Sequence, residues 1–111
     1  MLEDHAKMLF LLRQAGAIVG RKKLQKIIYI LQKQGYPFHE KFHFHFYGPY
    51  SDELSLRIEE LCNLGFLNEV KEDKGSYSQY RYELTESGRS FLSHYQIDMP
   101  GIGHYVAKLN Q

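Results

Sequence analysis

The chain has 111 residues, 43% of them hydrophobic and 24% charged, with a formal net charge of +1 at pH 7. These proportions belong to an ordinary globular domain and disfavour disorder, collagen-like repeats and a disulfide scaffold, while the length allows one core and no large internal catalytic cavity. The single cysteine, Cys62, cannot close a disulfide within the chain, the longest apolar run (Met8–Leu12) is far below the ~20 residues that span a bilayer, and Glu3-Asp4 is wrong for a secretory leader, so a cytoplasmic chain with no membrane partner is expected.

Residues 3–15 carry Ala6, Leu9, Phe10 and Leu12 close to the helical period, and Gly16 is a stop, which predicts a first helix. Residues 21–34 place Leu24, Ile27, Ile28 and Leu31 at i, i+3, i+4 and i+7, and Gly35 followed by Pro37 ends this second helix. Residues 41–47 alternate, with Phe42, Phe44 and Phe46 on one face and Lys41, His43, His45 and Tyr47 on the other. That pattern predicts a half-buried strand broken by Gly48-Pro49. Ser51 can cap a third helix running to about Leu64, with Asp52 and Glu53 favourably placed in its first turn and Leu54, Ile58, Leu61 and Cys62 inward; Gly65 then stops it.

Residues 66–71 and 79–84 read as a hairpin whose loop, 72–78, contains a turn glycine. Thr85 is the natural cap of a short fourth helix to about Tyr95, and Met99-Pro100-Gly101 turns the chain. Residues 1–95 are thus expected to form the domain and 96–111 a tail. The tail starts like another helix at His104 but is shorter than the roughly 12 residues an isolated helix needs, so it is expected to dock on a partner or to continue beyond this sequence. Phe10, Phe42, Phe44, Phe46, Phe66 and Phe91 are expected to fill the core, whereas the tyrosines at 47, 50, 77, 80 and 95 divide between core and interface.

The order of helix, helix, strand, helix, hairpin and helix is that of an α+β winged-helix-like domain, mainly helical, with a short inserted strand and a two-stranded wing hairpin. Leu61-x-x-Leu64-Gly65-Phe66-Leu67 and Tyr82-Glu83-Leu84-Thr85-Glu86-Ser87-Gly88 resemble the wing region of bacterial winged-helix regulators. Lys23-Leu24-Gln25-Lys26-Ile27-Ile28-Tyr29 and Tyr47-Gly48-Pro49-Tyr50 are similar to the start of the Panacea (SocA-like antitoxin) domain. The whole chain, with Phe42-His43-Phe44-His45-Phe46-Tyr47-Gly48-Pro49-Tyr50, looks most like the YwgA-like bacterial proteins. The resemblance implies a regulatory domain, and its regulator branch implies dimerisation, through the first helix or the tail.

Charge divides the chain. Residues 1–50 hold eight basic and three acidic side chains, and residues 51–111 six basic and ten acidic, so the front is basic and the back acidic. Lys22, Lys26, Tyr29 and Lys33 share the side of the second helix opposite its apolar stripe. With Arg21, Lys23 and, from the wing, Lys74 and Arg81, they form a candidate nucleic-acid surface. A solvated helix face is the plainer alternative. The third helix, which a winged helix would insert in the major groove, instead turns out Asp52, Ser55, Leu56, Glu59, Glu60 and Asn63, a face that repels phosphate. With Tyr50 and Tyr77, the residues Asp52, Leu56, Glu59 and Glu60 form a candidate protein-docking surface.

Chemistry finds little support. His43-x-His45 with His39 nearby could ligate a metal, but Lys41 shares the face and no third ligand is fixed by spacing, so no metal site is expected. An inward Cys62 is a small hydrophobe rather than a nucleophile, and P-loop, nucleophile-elbow and HExxH patterns are absent. The expectation is a non-enzymatic binding module without a cofactor. It binds duplex DNA through the basic face of the second helix or, alternatively, a protein through the acidic face of the third helix and the tyrosine-rich hairpin.

Overall fold

The computed structural model describes residues 2–111. Helix α1 (Glu3–Ala15) buries Ala6, Met8, Leu9, Leu11 and Leu12, and Gly16, at φ 81°, closes it by returning its N–H to the Leu12 carbonyl at 2.9 Å. The three residues of β1 (Ala17–Val19) lead into α2 (Arg21–Lys33), whose apolar stripe of Leu24, Ile27, Ile28 and Leu31 is fully buried. A two-stranded ribbon, β2 (His43–His45) and β3 (Gly48–Tyr50), precedes α3 (Asp52–Asn63). Ser51 caps α3 as its position demands, its hydroxyl accepting from the Leu54 N–H at 3.1 Å.

Strands β4 (Leu67–Asp73) and β5 (Ser78–Leu84) form the long hairpin, followed by α4 (Glu86–Leu92) and α5 (Ile102–Leu109). The larger sheet has the order β1-β5-β4 and is antiparallel throughout, with Ala17 opposite Glu83 and Leu67 opposite Leu84. One core unites the elements. Ile18 from β1, Leu54 and Leu61 from α3 and Tyr82 from β5 join the stripes of α1 and α2. The architecture is α+β.

The tail packs on the body. Helix α5 lies against α1 and α2, and Met99, Ile102 and Val106 enter the same core. Full burial of a side chain such as Val106 is worth about 1.5–3 kcal/mol, which is how so short a helix holds its form.

Several expectations are corrected. The strand foreseen over 41–47 is confined to His43–His45, and Gly48-Pro49 does not break it but begins its partner, with Phe44 opposite Pro49. A two-stranded ribbon has open outer edges, so a proline lacking an N–H is tolerated there. Phe44 (73% exposed) and the fully exposed Phe46 are not core residues either. β3 lies against α2 and leaves β2 outermost, where the Tyr29 ring meets those of Phe42 and Phe44 edge-on at 5.2 and 5.5 Å. Phe10, Phe42, Phe66 and Phe91 are half-buried against the core. The fourth helix ends at Leu92, short of Tyr95, and β1 was not foreseen.

Candidate nucleic-acid interface

Because Leu24, Ile28 and Leu31 anchor α2 inward, Lys22, Lys26 and Lys33 stand outward. Beside them runs a groove of about 490 Å³, lined by Ile27, Ile30, Pro49 and Leu109 and edged by Lys22, Lys23, Lys26 and Lys108. Three elements build it: α2, the ribbon and α5. Lys23 Nζ donates to the carbonyls of Asn110 (3.4 Å) and Gln111 (3.2 Å), which fastens the end of α5 to the groove.

The groove is cationic without compensation. No Asp or Glu side chain lines it. Among the described residues, Lys22, Lys26, Lys33 and Lys108 have no Asp or Glu carboxylate within 4.0 Å, and Lys23 is engaged by the backbone oxygens of Asn110 and Gln111, whereas Lys7, Arg21, Arg57 and Arg81 each have one. The partners of Lys22 and Lys33 are aromatic. Lys22 Nζ sits 5.0 Å from the Tyr47 ring centroid and Lys33 Nζ 5.6 Å from that of Tyr29. His45 stacks on Tyr47 at 5.2 Å with the planes 4° apart.

A second hollow, about 440 Å³, has a different character. Arg21 lies over the Tyr80 ring at 3.8 Å, donates from Nε to the Tyr82 hydroxyl at 3.2 Å and stands 3.7 Å from Glu69. Tyr82 donates in turn to Glu69 at 2.6 Å. Burial first, and then this carboxylate, hold the Tyr82 phenol protonated far above the usual range. Cys62 lines the same hollow, its thiol pushed up by burial and by Glu69 and Glu59, which keeps it a poor nucleophile. Gln25 closes the floor: its side chain accepts from Ser51 N at 2.8 Å and donates to Ser51 O and Ser55 Oγ, each at 3.0 Å.

No protein-family model matches the chain. Over 110 residues, 99% of its length, it is 60% identical to a Bacillus subtilis (strain 168) protein named "Uncharacterized protein YwgA". The chain is YwgA-like. It spans 66% of the length of that bacterial relative.

In this YwgA-like chain the eight candidate nucleic-acid residues separate. Lys22, Lys23 and Lys26 edge the groove together, and Tyr29 and Lys33 continue along α2. Arg21 belongs to the second hollow and is engaged by Glu69. Arg81 donates to Glu72 at 3.3 Å; hydrogen bonds from Gln79 and then Arg81 hold the Glu72 carboxyl below its ordinary value. Lys74 stands apart at the β4–β5 turn.

The candidate docking residues separate as well. Asp52, Leu56, Glu59 and Glu60 are exposed on α3, Leu56 at 57%, and Arg57 turns away to pair with Glu40 and Asp4. His5 Nε2 approaches Glu60 Oε1 to 2.9 Å. Tyr50 is half-buried and accepts from Ser55 Oγ at 2.8 Å, while Tyr77 is exposed on the β4–β5 turn. Among the described residues no three His, Cys, Asp or Glu side chains are grouped to hold a metal, and no helix is long and apolar enough to cross a membrane. Residue-by-residue reading missed Lys108, brought to the groove only by the docking of α5, and the outward rings of Phe44 and Phe46.

Proposed function

We propose that the chain is a non-enzymatic, cytoplasmic nucleic-acid-binding module of a bacterial regulatory protein, and that it grips the phosphate backbone with the basic face of α2. The observation that carries this is the groove edged by Lys22, Lys23, Lys26 and Lys108, with no carboxylate side chain in its lining. Uncompensated lysines beside a polyanion release its counterions, the main source of sequence-independent affinity. The element order, with β1 added to the hairpin as β1-β5-β4, supports a winged-helix arrangement in which β4–β5 is the wing. The acidic α3 is then not the groove-reading element, and α2 takes over contact with the nucleic acid.

Fluorescence anisotropy with a labelled duplex of about 30 base pairs tests the proposal: three phosphate contacts would weaken binding about 40-fold between roughly 50 and 200 mM salt, and changing Lys22, Lys26 and Lys33 to Glu would abolish it. Salt-insensitive binding, or a triple variant that binds like wild type, overturns it.

One observation favours a second reading. Leu56 is exposed among Asp52, Glu59 and Glu60, a small apolar point in an acidic surround that suits a basic protein surface, as in the antitoxin-like resemblance. Failure of the wild-type chain to bind nucleic acid at low salt would turn the assignment to that face.

A further inference from the structure

The ribbon presents large rings that the fold leaves uncovered. Phe44 is 73% exposed, Phe46 at the turn is fully exposed, and Tyr47 beside it is exposed as well. Leaving a phenylalanine in water rather than burying it forgoes about 1.5–3 kcal/mol, so two such residues within three positions ask for a reason. Their neighbours supply one. Lys22 Nζ meets the Tyr47 ring, and Tyr29 touches both the Phe44 ring and the Lys33 ammonium. Unpaired cations and exposed rings therefore alternate over one continuous surface.

A duplex offers such a surface only its phosphates, because the faces of its bases are stacked on one another. A single strand offers both phosphates and free base faces, and proteins that hold it combine a positive track with aromatic platforms. Along α2, the rise of ~1.5 Å per residue sets Lys22 and Lys26 about 6 Å apart and Lys33 about 10 Å further on, a track that a strand can follow beside the ribbon. An acidic protein segment would satisfy the lysines but has no reason to need two bare phenylalanine rings.

We propose that the ribbon and the basic face of α2 bind single-stranded nucleic acid, its phosphates on Lys22, Lys26 and Lys33 and its unpaired bases stacked on Phe44 and Phe46. This rests on the assignment of α2 as the phosphate track and adds the state of the bases. Phe46 is the discriminating residue because its exposed side chain makes little packing contribution to the fold.

Anisotropy is measured with an oligothymidylate of about 12 nucleotides and with a duplex of equal length, for wild type, Phe44→Ala, Phe46→Ala and the lysine-to-glutamate triple variant. The expected result is single-strand affinity at least about tenfold above duplex affinity, a further loss of about tenfold in each phenylalanine variant for the single strand alone, and loss of both ligands in the triple variant. The chain has no tryptophan, so Phe46→Trp supplies a single reporter, whose fluorescence a stacked base quenches and a phosphate contact alone does not. If duplex binds as well as single strand and the phenylalanine variants change neither, the stacking proposal is overturned while the α2 track stands. If neither ligand binds at low salt, both fall. If only an acidic peptide such as oligoglutamate binds, and Phe46→Ala weakens it, the surface belongs to a protein partner and the proposal is overturned.

Discussion

Gly88, in the first turn of α4, packs directly against the carbonyl oxygen of Phe66: a Cβ at Gly88 would overlap that oxygen and come within 3.3 Å of Leu84 Cδ2. Thr85 holds the same junction from the other side, its hydroxyl accepting from Gly88 N at 2.9 Å and donating to Gly65 O at 2.6 Å. Leu84-Thr85-Glu86-Ser87-Gly88 is therefore a clamp that fixes α4 to the start of β4. Replacing a helical glycine with alanine ordinarily stabilises a protein by a few tenths to about 1 kcal/mol. Here Gly88→Ala is expected to destabilise by about 2–3 kcal/mol, because the obstacle is backbone and cannot swing aside. Thr85→Ala should cost about 1 kcal/mol through the lost cap. Urea unfolding monitored by circular dichroism checks both, and a stabilised Gly88→Ala would refute the close approach.

The Arg57–Glu40 pair, 3.0 Å apart, should be a point of asymmetric fragility. Glu40 is only 6% exposed; burial raises its carboxyl pKa above the ordinary value, and Arg57 offsets part of that rise. Arg57→Ala leaves the carboxylate buried without its cation and should cost about 3 kcal/mol at neutral pH. Without Arg57 the folded-state pKa rises further above the unfolded value, so the folded state takes up its proton first as pH falls, and stability recovers. Thermal melts from about pH 7 to pH 5 should therefore show the gap between wild type and Arg57→Ala narrowing. A gap that stays constant would mean that Glu40 is not the group left stranded.

The split among the basic residues has a direct test in salt dependence. Lys26→Ala should weaken duplex binding uniformly across sequences and lower the salt slope by about 1. Arg81→Gln should leave the slope unchanged, because Arg81 is already matched by Glu72. Equal slopes for the two variants would dissolve the distinction between the groove and the hairpin.

Cys62 should react sluggishly with thiol reagents. Its pKa is raised by burial and two carboxylates, so the folded chain is expected to be modified several-fold more slowly than the denatured chain at about pH 8, with the rate still climbing near pH 9. A fast reaction at neutral pH would mark an activated thiol instead.

Local chemistry made much of this fold readable. Ser51 and Thr85 announce their helices because each has the hydroxyl that its cap requires, and α2 is legible because Leu24, Ile27, Ile28 and Leu31 repeat at helical spacing. β1 is illegible locally: three residues between Gly16 and Gly20 are too few to show alternation, and pairing with Arg81–Glu83, far along the chain, is what makes them a strand. The Phe42-Phe44-Phe46 alternation signals an extended chain that holds only over His43–His45, with Phe46 already in the turn, and alternation says only that two faces differ, not which one meets the core. For the interface, the α2 lysines were readable from a helical wheel. Their lack of carboxylate partners depends on what the rest of the chain packs around α2, and the arrival of Lys108 on where α5 docks.

That docking has one more effect, at the margin of the sheet. β1 is an outer strand, and an outer strand invites another chain to pair with it. The side-chain amide of Asn110 donates to the Ala17 carbonyl at 2.8 Å, occupying a hydrogen-bonding position on that strand. α5 thereby shields β1 as well as completing the core. A chain that lost α5 would surrender both safeguards at once, and the expected consequence is self-association through β1 rather than a merely looser monomer.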